Sequence, residues 1–209
     1  MNYGDIYMTY FIITGDLIAS RKIPNRSQIQ KELQNTVENI NNCYTEHILC
    51  PFVIGWGDAF QGALISLSGL YNIIEAFENQ LTIKFRCGIG IGEISTEFSL
   101  NPLEMDGPAF HASQYALEDA KKNQKFVWIK SERRQFDMII NTLWVLLSSI
   151  KSGWTKRQYE VIQLRRLNLT YAEIGQKLRI TKQAVYNILK SAQWEAVEHG
   201  INTLNHIEY

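Results

Sequence analysis

Apolar and polar positions along this chain switch between the period of a strand and that of a helix, and the switches predict its elements. Thr9–Thr14 is β-branched and aromatic and predicts a first strand. Pro24 and Asn25 mark a turn, after which Ser27 and Gln30 have capping-box spacing. Ile29, Leu33, Val37, Ile40 and Tyr44 then recur at helical spacing and form one apolar stripe. Ile48–Trp56 and Ala59–Leu67 read as two strands joined at the turn residues Gly57 and Asp58. A second helix starts at Ser68, with Leu70, Ile73, Ile74 and Phe77 inward, and Leu81–Ile91 reads as a further strand. Gly88, Gly90 and Gly92 alternate in that strand, which predicts a close backbone or helix against one face. A polar loop with Pro102, a helix over Gly107–Asn123 and a short strand over Phe126–Ile129 follow. The order βαββαβ, so extended, predicts an α+β sandwich with helices over a mostly antiparallel sheet.

From Glu132 to Ile150 the period becomes purely helical. Phe136, Ile139, Ile140, Leu143, Trp144 and Leu147 give a broad apolar face, suited either to docking two parts of the chain or to a dimer seam. Gly153 and Trp154 open a compact all-helical region. The expected division is a 1–130 α+β domain, a 131–152 connecting helix and a 153–209 helical domain.

Composition adds compartment and partner. With 45% hydrophobic and 20% charged residues the chain has the balance of a soluble globular protein. No apolar run approaches the ~20 residues of a membrane span, and MNYGDIYMTY lacks a basic start and a cleavage site, so a cytoplasmic protein with no membrane partner is expected. Cys43, Cys50 and Cys87 show no metal-ligand spacing and are expected as buried reduced thiols. The net charge of zero conceals a cancellation: between Lys151 and Ala192 nine basic residues face only Glu160 and Glu173. That concentration suits a polyanion-binding module.

The same stretch has the geometry to use its charge. Thr170 caps a short helix through Leu178, and Thr181 caps another that follows a tight turn at Arg179–Ile180. Ala172, Ile174, Gly175, Leu178, Ile180, Val185 and Ile188 are expected to form the small core between them, with Gly175 or Ala172 allowing close approach. This is helix-turn-helix spacing. Over some forty residues the segment resembles the helix-turn-helix of LuxR-type regulators and of sigma factors. The resemblance implies a DNA partner, with Lys182, Gln183, Tyr186, Asn187 and Lys190 on the outward face of a recognition helix. One such module binds weakly alone, so a homodimer on spaced half-sites is expected.

In the first domain, two apolar strands run into Gly-Asp: YFIITGDLIASR and FVIGWGDAFQGAL. Carboxylates at neighbouring strand ends can share a divalent ion. The βαββαβ order with Asp16 and Asp58 at those ends resembles the class III nucleotidyl cyclases and their GGDEF relatives, as do FRCGIGIGEI and GPAFHASQYA. The resemblance implies a ferredoxin-like, cyclase-like fold in which Asp16, the Leu17 carbonyl and Asp58 hold Mg²⁺. Ser20, Arg21 and His111 then become candidates for a nucleotide or other phosphorylated ligand, although Arg21 equally suits a surface carboxylate. Where the resemblance calls for a base-reading lysine stands Ile54, and its transition-state Asn and Arg are replaced near His111 and Tyr115 or Gln114. Binding is therefore expected before catalysis, and no residue is assigned a catalytic role. A divergent cyclase or phosphoryl-transfer enzyme is the alternative, and a scaffold for dimerisation a third. Across the whole chain DLIASR, GDAFQG, RCGIGIG and MDGPAF, in that order before a helix-turn-helix, resemble the SatD family of bacterial proteins. That resemblance implies the two-part architecture and no particular reaction.

Overall fold

A strand rich in Ile and Phe is buried on both faces, so the fold starts from what covers each side of Tyr10–Leu17 (β1). The computed structural model describes residues 8–19, 25–55 and 57–209. In order they form β1, a helix Arg26–Cys43 (α1), strands Ile48–Ile54 (β2) and Ala59–Leu64 (β3), and a helix Leu70–Gln80 (α2). A strand Phe85–Gly92 (β4), a 3-10 turn at Pro102–Glu104, a helix Pro108–Lys122 (α3) and a strand Val127–Lys130 (β5) follow. The rest is helical: Arg134–Ser152 (α4), Lys156–Arg166 (α5), Tyr171–Leu178 (α6), Lys182–Ser191 (α7) and Trp194–His206 (α8). The five strands make one sheet in the order β2-β3-β1-β4-β5, with β5 parallel to β4 and the other neighbours antiparallel.

The chain divides into two units, one reaching to Thr142 and including Leu204–Tyr209, the other Leu143–Thr203. In the first, the faces of the sheet are packed by different means. One face carries Phe52, Phe60, Phe77 and Phe85, with Phe60 stacked on Phe77 at 4.5 Å. Phe60 lies over Gly15, where an added Cβ would meet its ring at 2.2 Å. The other face is built for a helix backbone. A Cβ on Gly88 would fall 2.2 Å from the Ser113 carbonyl, and one on Gly90 2.0 Å from that of Ala109. The alternating glycines thus let α3 lie directly on β4, as their spacing predicts.

The sheet has two open edges, and each is closed in the same way. Asn41 of α1 donates to the Phe52 carbonyl at 2.9 Å and accepts from its N–H at 2.8 Å, at the β2 edge. Asn141 of α4 makes the same pair with Ile129 of β5, at 2.9 and 2.7 Å. Each side-chain amide pairs with one edge residue as a neighbouring strand would.

Several local expectations change. Helix α1 begins at Arg26 with Asn25 as N-cap, so Ser27 lies inside the helix, donating to Asn25 Oδ1, and forms no capping box. The β2–β3 connection is longer than two residues: β2 ends at Ile54, and Gly55 N–H closes on the Ala59 carbonyl at 2.8 Å. Strand β4 starts at Phe85 rather than Leu81. Ile139 is 61% exposed, while Ile140, Trp144 and Leu147 supply the buried side of α4. Cys50 and Cys87 are buried free thiols, and Cys43 is exposed. Among the described residues no helix is long and apolar enough to cross a membrane.

Candidate functional site

The end of β1 is the first candidate region. Thr14 meets Ser113 of α3 at 2.8 Å and accepts from Gln61 at 2.8 Å, which identifies the α3 face. Side chains alternate along a strand, so Asp16, two residues on, faces α3 as well. There its Oδ2 is held by the ammonium of Lys121 at 2.6 Å. Its other oxygen, Oδ1, is buried and has no hydrogen-bond partner among the described residues. A buried acceptor left without a partner costs about 1–3 kcal/mol. The charge is also felt behind the sheet, where burial first and then Asp16 push the Cys87 thiol up.

Register places one of the expected metal residues beside the strand that follows the other. Asp16 faces Ala59 across the β1–β3 ladder, and Asp58 is the turn residue just before Ala59. Ile18 N–H donates to the Lys84 carbonyl of the opposite neighbour at 2.7 Å. Backbone groups alternate sides along a strand, so the Leu17 carbonyl is directed toward the loop that carries Asp58. Gly57, at φ +79°, lets that loop turn. Two carboxylates and a carbonyl match the donors of a hard cation such as Mg²⁺, which keeps several waters of its own. Lys121 already occupies one of the oxygens, and no group of three or more His, Cys, Asp or Glu assembles among the described residues.

The remaining ligand candidates do not join this cluster. His111 stands in the first turn of α3 and pairs with Asp106 at 3.0 Å, both well exposed. Ten residues separate it from Lys121, about 15 Å along the helix. Tyr115 is exposed, beneath the Lys130 ammonium. Ser20 and Arg21 lie outside the described residues. Lys121 and Arg86, the latter opposite Asp16 on β4, were not singled out from sequence. For Lys121 a signal exists: Ser113, Leu117 and Lys121 are spaced four apart, so the lysine closes the helix stripe that faces the glycine strand.

The second candidate region is the surface of α5–α7. Thr155 and Thr170 each form a capping box, with Gln158 and Glu173, and Thr181 caps α7 by accepting from Ala184 N–H at 3.1 Å. Helix α6 ends at Arg179 in the left-handed conformation, φ +54°. The turn then passes so close to α6 that a Cβ on Gly175 would stand 2.7 Å from the Ile180 carbonyl. Gly175 is thus the close-approach residue, and Ala172 is exposed rather than in the core. Val161, Ile162, Ile174, Val185 and Leu189 are buried. That burial turns Lys182, Gln183, Tyr186, Asn187 and Lys190 outward together on one exposed face of α7. Gln183 donates to Asn187 at 3.2 Å, and Lys190 lies over the Tyr186 ring at 5.9 Å. The two acidic residues of the segment are engaged elsewhere. Glu160 pairs with Arg157 at 2.6 Å, and Glu173 accepts from the Thr170 N–H and hydroxyl, which hold its carboxyl below the usual range.

Comparison with curated proteins returns no match. Among solved structures, the crystal structure of the guanylyl cyclase Cya2 aligns at 13% identity and a TM-score of 0.40, over 54% of this chain and 70% of that one. The family model described as "SatD family" matches residues 10–196, from the first strand into α8, and the chain therefore belongs to the SatD family.

Proposed function

We propose that this protein is a DNA-binding regulator whose α+β unit senses a nucleotide or another phosphorylated ligand together with Mg²⁺. The observation that carries the DNA half is the outward grouping of Lys182, Gln183, Tyr186, Asn187 and Lys190 on α7. In this reading α6 and α7 are a helix-turn-helix. Gln183 and Asn187 offer amides for adenine edges, and Lys182, Lys190 and Tyr186 reach phosphates or bases. The excess of basic residues between Lys151 and Ala192 supplies the long-range attraction. Two copies bind spaced half-sites as a homodimer.

The sensing half rests on the strand end. The antiparallel order β2-β3-β1-β4 supports its ferredoxin-like, cyclase-like reading. Asp16, Leu17 and Asp58 would hold Mg²⁺, which neutralises phosphate charge when bound. Arg86 and Lys121 add cationic groups beside Asp16. The unpartnered Asp16 Oδ1 favours a second reading, a divergent nucleotidyl cyclase or phosphoryl-transfer enzyme with the same metal residues.

Fluorescence anisotropy on labelled duplex DNA tests the first half: binding is expected to weaken with salt and in Lys182→Ala, and a protein that binds no duplex refutes it. Thermal shift with nucleoside triphosphates and Mg²⁺ tests the second. A rise in Tm that disappears in Asp16→Ala and Asp58→Ala is expected; no rise with any of them refutes both sensor and enzyme. Product formation then separates enzyme from sensor.

A further inference from the structure

A row of alternating cations and aromatic rings runs across the second unit and reaches beyond α7. Arg165, in the last turn of α5, lies 5.5 Å from the centre of the Tyr171 ring, in the first turn of α6. Tyr171 meets Tyr186 of α7 at 6.4 Å between ring centres, and Lys190 lies 5.9 Å over Tyr186. Four residues from three helices thus form one continuous strip with a cation at each end. We infer that Arg165, Tyr171, Tyr186 and Lys190 form a phosphate-contacting strip for one strand of duplex DNA, beside the groove that α7 enters. The inference rests on the DNA-binding reading and adds Arg165 and Tyr171 to its contact surface.

Three features support it. First, each end of the strip carries a cation with no carboxylate paired to it among the described residues: Glu160 pairs with Arg157, and Glu173 accepts from Thr170. Second, the cations are pre-positioned. Contact with a ring face restrains a long side chain and leaves its N–H groups outward, so less entropy is lost when a phosphate arrives. Arg165 uses one donor on the Leu169 carbonyl, at 3.1 Å, which anchors its guanidinium and leaves further donors of the five. Third, Tyr186 is 43% exposed, and both tyrosines can offer hydroxyl groups, which bond phosphate oxygens irrespective of sequence. Gln183 and Asn187, one turn apart on the same exposed face of α7, are left for base edges. The surface therefore divides into a part that positions and a part that reads.

The test is the salt dependence of binding to a fluorescein-labelled duplex of mixed sequence, with circular dichroism to verify folding. Arg165→Gln and Lys190→Gln are each expected to reduce the slope of log affinity against log salt by about 0.9, the value of one phosphate contact. Tyr171→Phe, which keeps the ring and removes the hydroxyl, is expected to weaken binding to every sequence alike with no change of slope. Gln183→Ala is expected instead to relax the preference found by selection from a randomised duplex pool. Wild-type binding with unaltered slopes in both cation variants overturns the strip and leaves the DNA reading standing, as does a changed sequence preference in Tyr171→Phe. If Arg165→Gln unfolds the unit, Lys190→Gln and Tyr171→Phe decide. Wild-type protein that binds no duplex at any salt removes the DNA reading and the strip with it.

Discussion

At the end of β1 a carboxylate is half-buried against its ion-pair partner, whereas on α7 the charges are turned out to solvent. Asp16 is 24% exposed, with one oxygen on Lys121 and the other buried without a partner. Lys182 and Lys190 are exposed and their acidic neighbours are engaged elsewhere. The difference lies in what each must give up to bind. In the proposed reading, a cation at Asp16 would compete with Lys121, half-exposed, for one carboxylate oxygen. In the same proposed reading, DNA at α7 would displace only loosely held counterions, so its occupancy would depend on salt.

The sharpest way to break this contrast is to remove the support beneath the enclosed site. Gly90→Val puts a side chain where a Cβ already meets the Ala109 carbonyl at 2.0 Å, so α3 is lifted from β4 and Lys121 from Asp16. A loss of about 3 kcal/mol or more is expected from overpacking a backbone contact, read by urea unfolding. Gly175→Ala is the counterpart in the other unit. Its Cβ would stand 2.7 Å from the Ile180 carbonyl, and a cost on the order of 1–3 kcal/mol with weakened DNA binding is expected.

Lys121→Met addresses the enclosed charge itself. With its competitor gone, Asp16 is expected to bind Mn²⁺ or Mg²⁺ more tightly by on the order of tenfold, equivalent to about 1.4 kcal/mol, by calorimetric titration. The stability change is expected to stay below about 1 kcal/mol, since the pair is partly exposed and screened. An unchanged ion affinity would remove competition from the account of this site.

The smallest expected effect is at Glu173, whose carboxyl is held down first by the Thr170 N–H and then by its hydroxyl. A depressed carboxyl stabilises the folded state above its unfolded pKa, and that contribution fades as pH falls through the folded value. Glu173→Gln keeps an acceptor for the cap but cannot titrate. A plot of Tm against pH should therefore flatten slightly in the acid range for the variant. Parallel curves for the two proteins would show that the cap gains nothing from the charge.

Much of the fold was legible because it is written in local spacing. The stripe Leu33, Val37, Ile40 announced α1, and Thr170 and Thr181 marked two helix starts. Gly88, Gly90 and Gly92 announced a close helix, since only a missing Cβ admits backbone at that distance. Local spacing failed where a side chain had more than one local use. Ser27 has the spacing of a cap, but Asn25 precedes the first helical residue. Ile139 lies at helical spacing yet faces solvent, because the apolar pattern of α4 is wider than its buried side.

The chain by itself determined the elements, the charge division and the residue types at both candidate regions, because periodicity, caps and turn glycines act over a few residues. Tertiary structure alone decided which partners they have. Asp16 meets Lys121 only because α3 is laid on β4, and it meets Ala59 only through strand register. Asn41 and Asn141 become edge clamps only once the sheet has edges. The strip from Arg165 to Lys190 exists only when α5, α6 and α7 pack together. Each depends on how separate elements pack, which the spacing within one element does not encode.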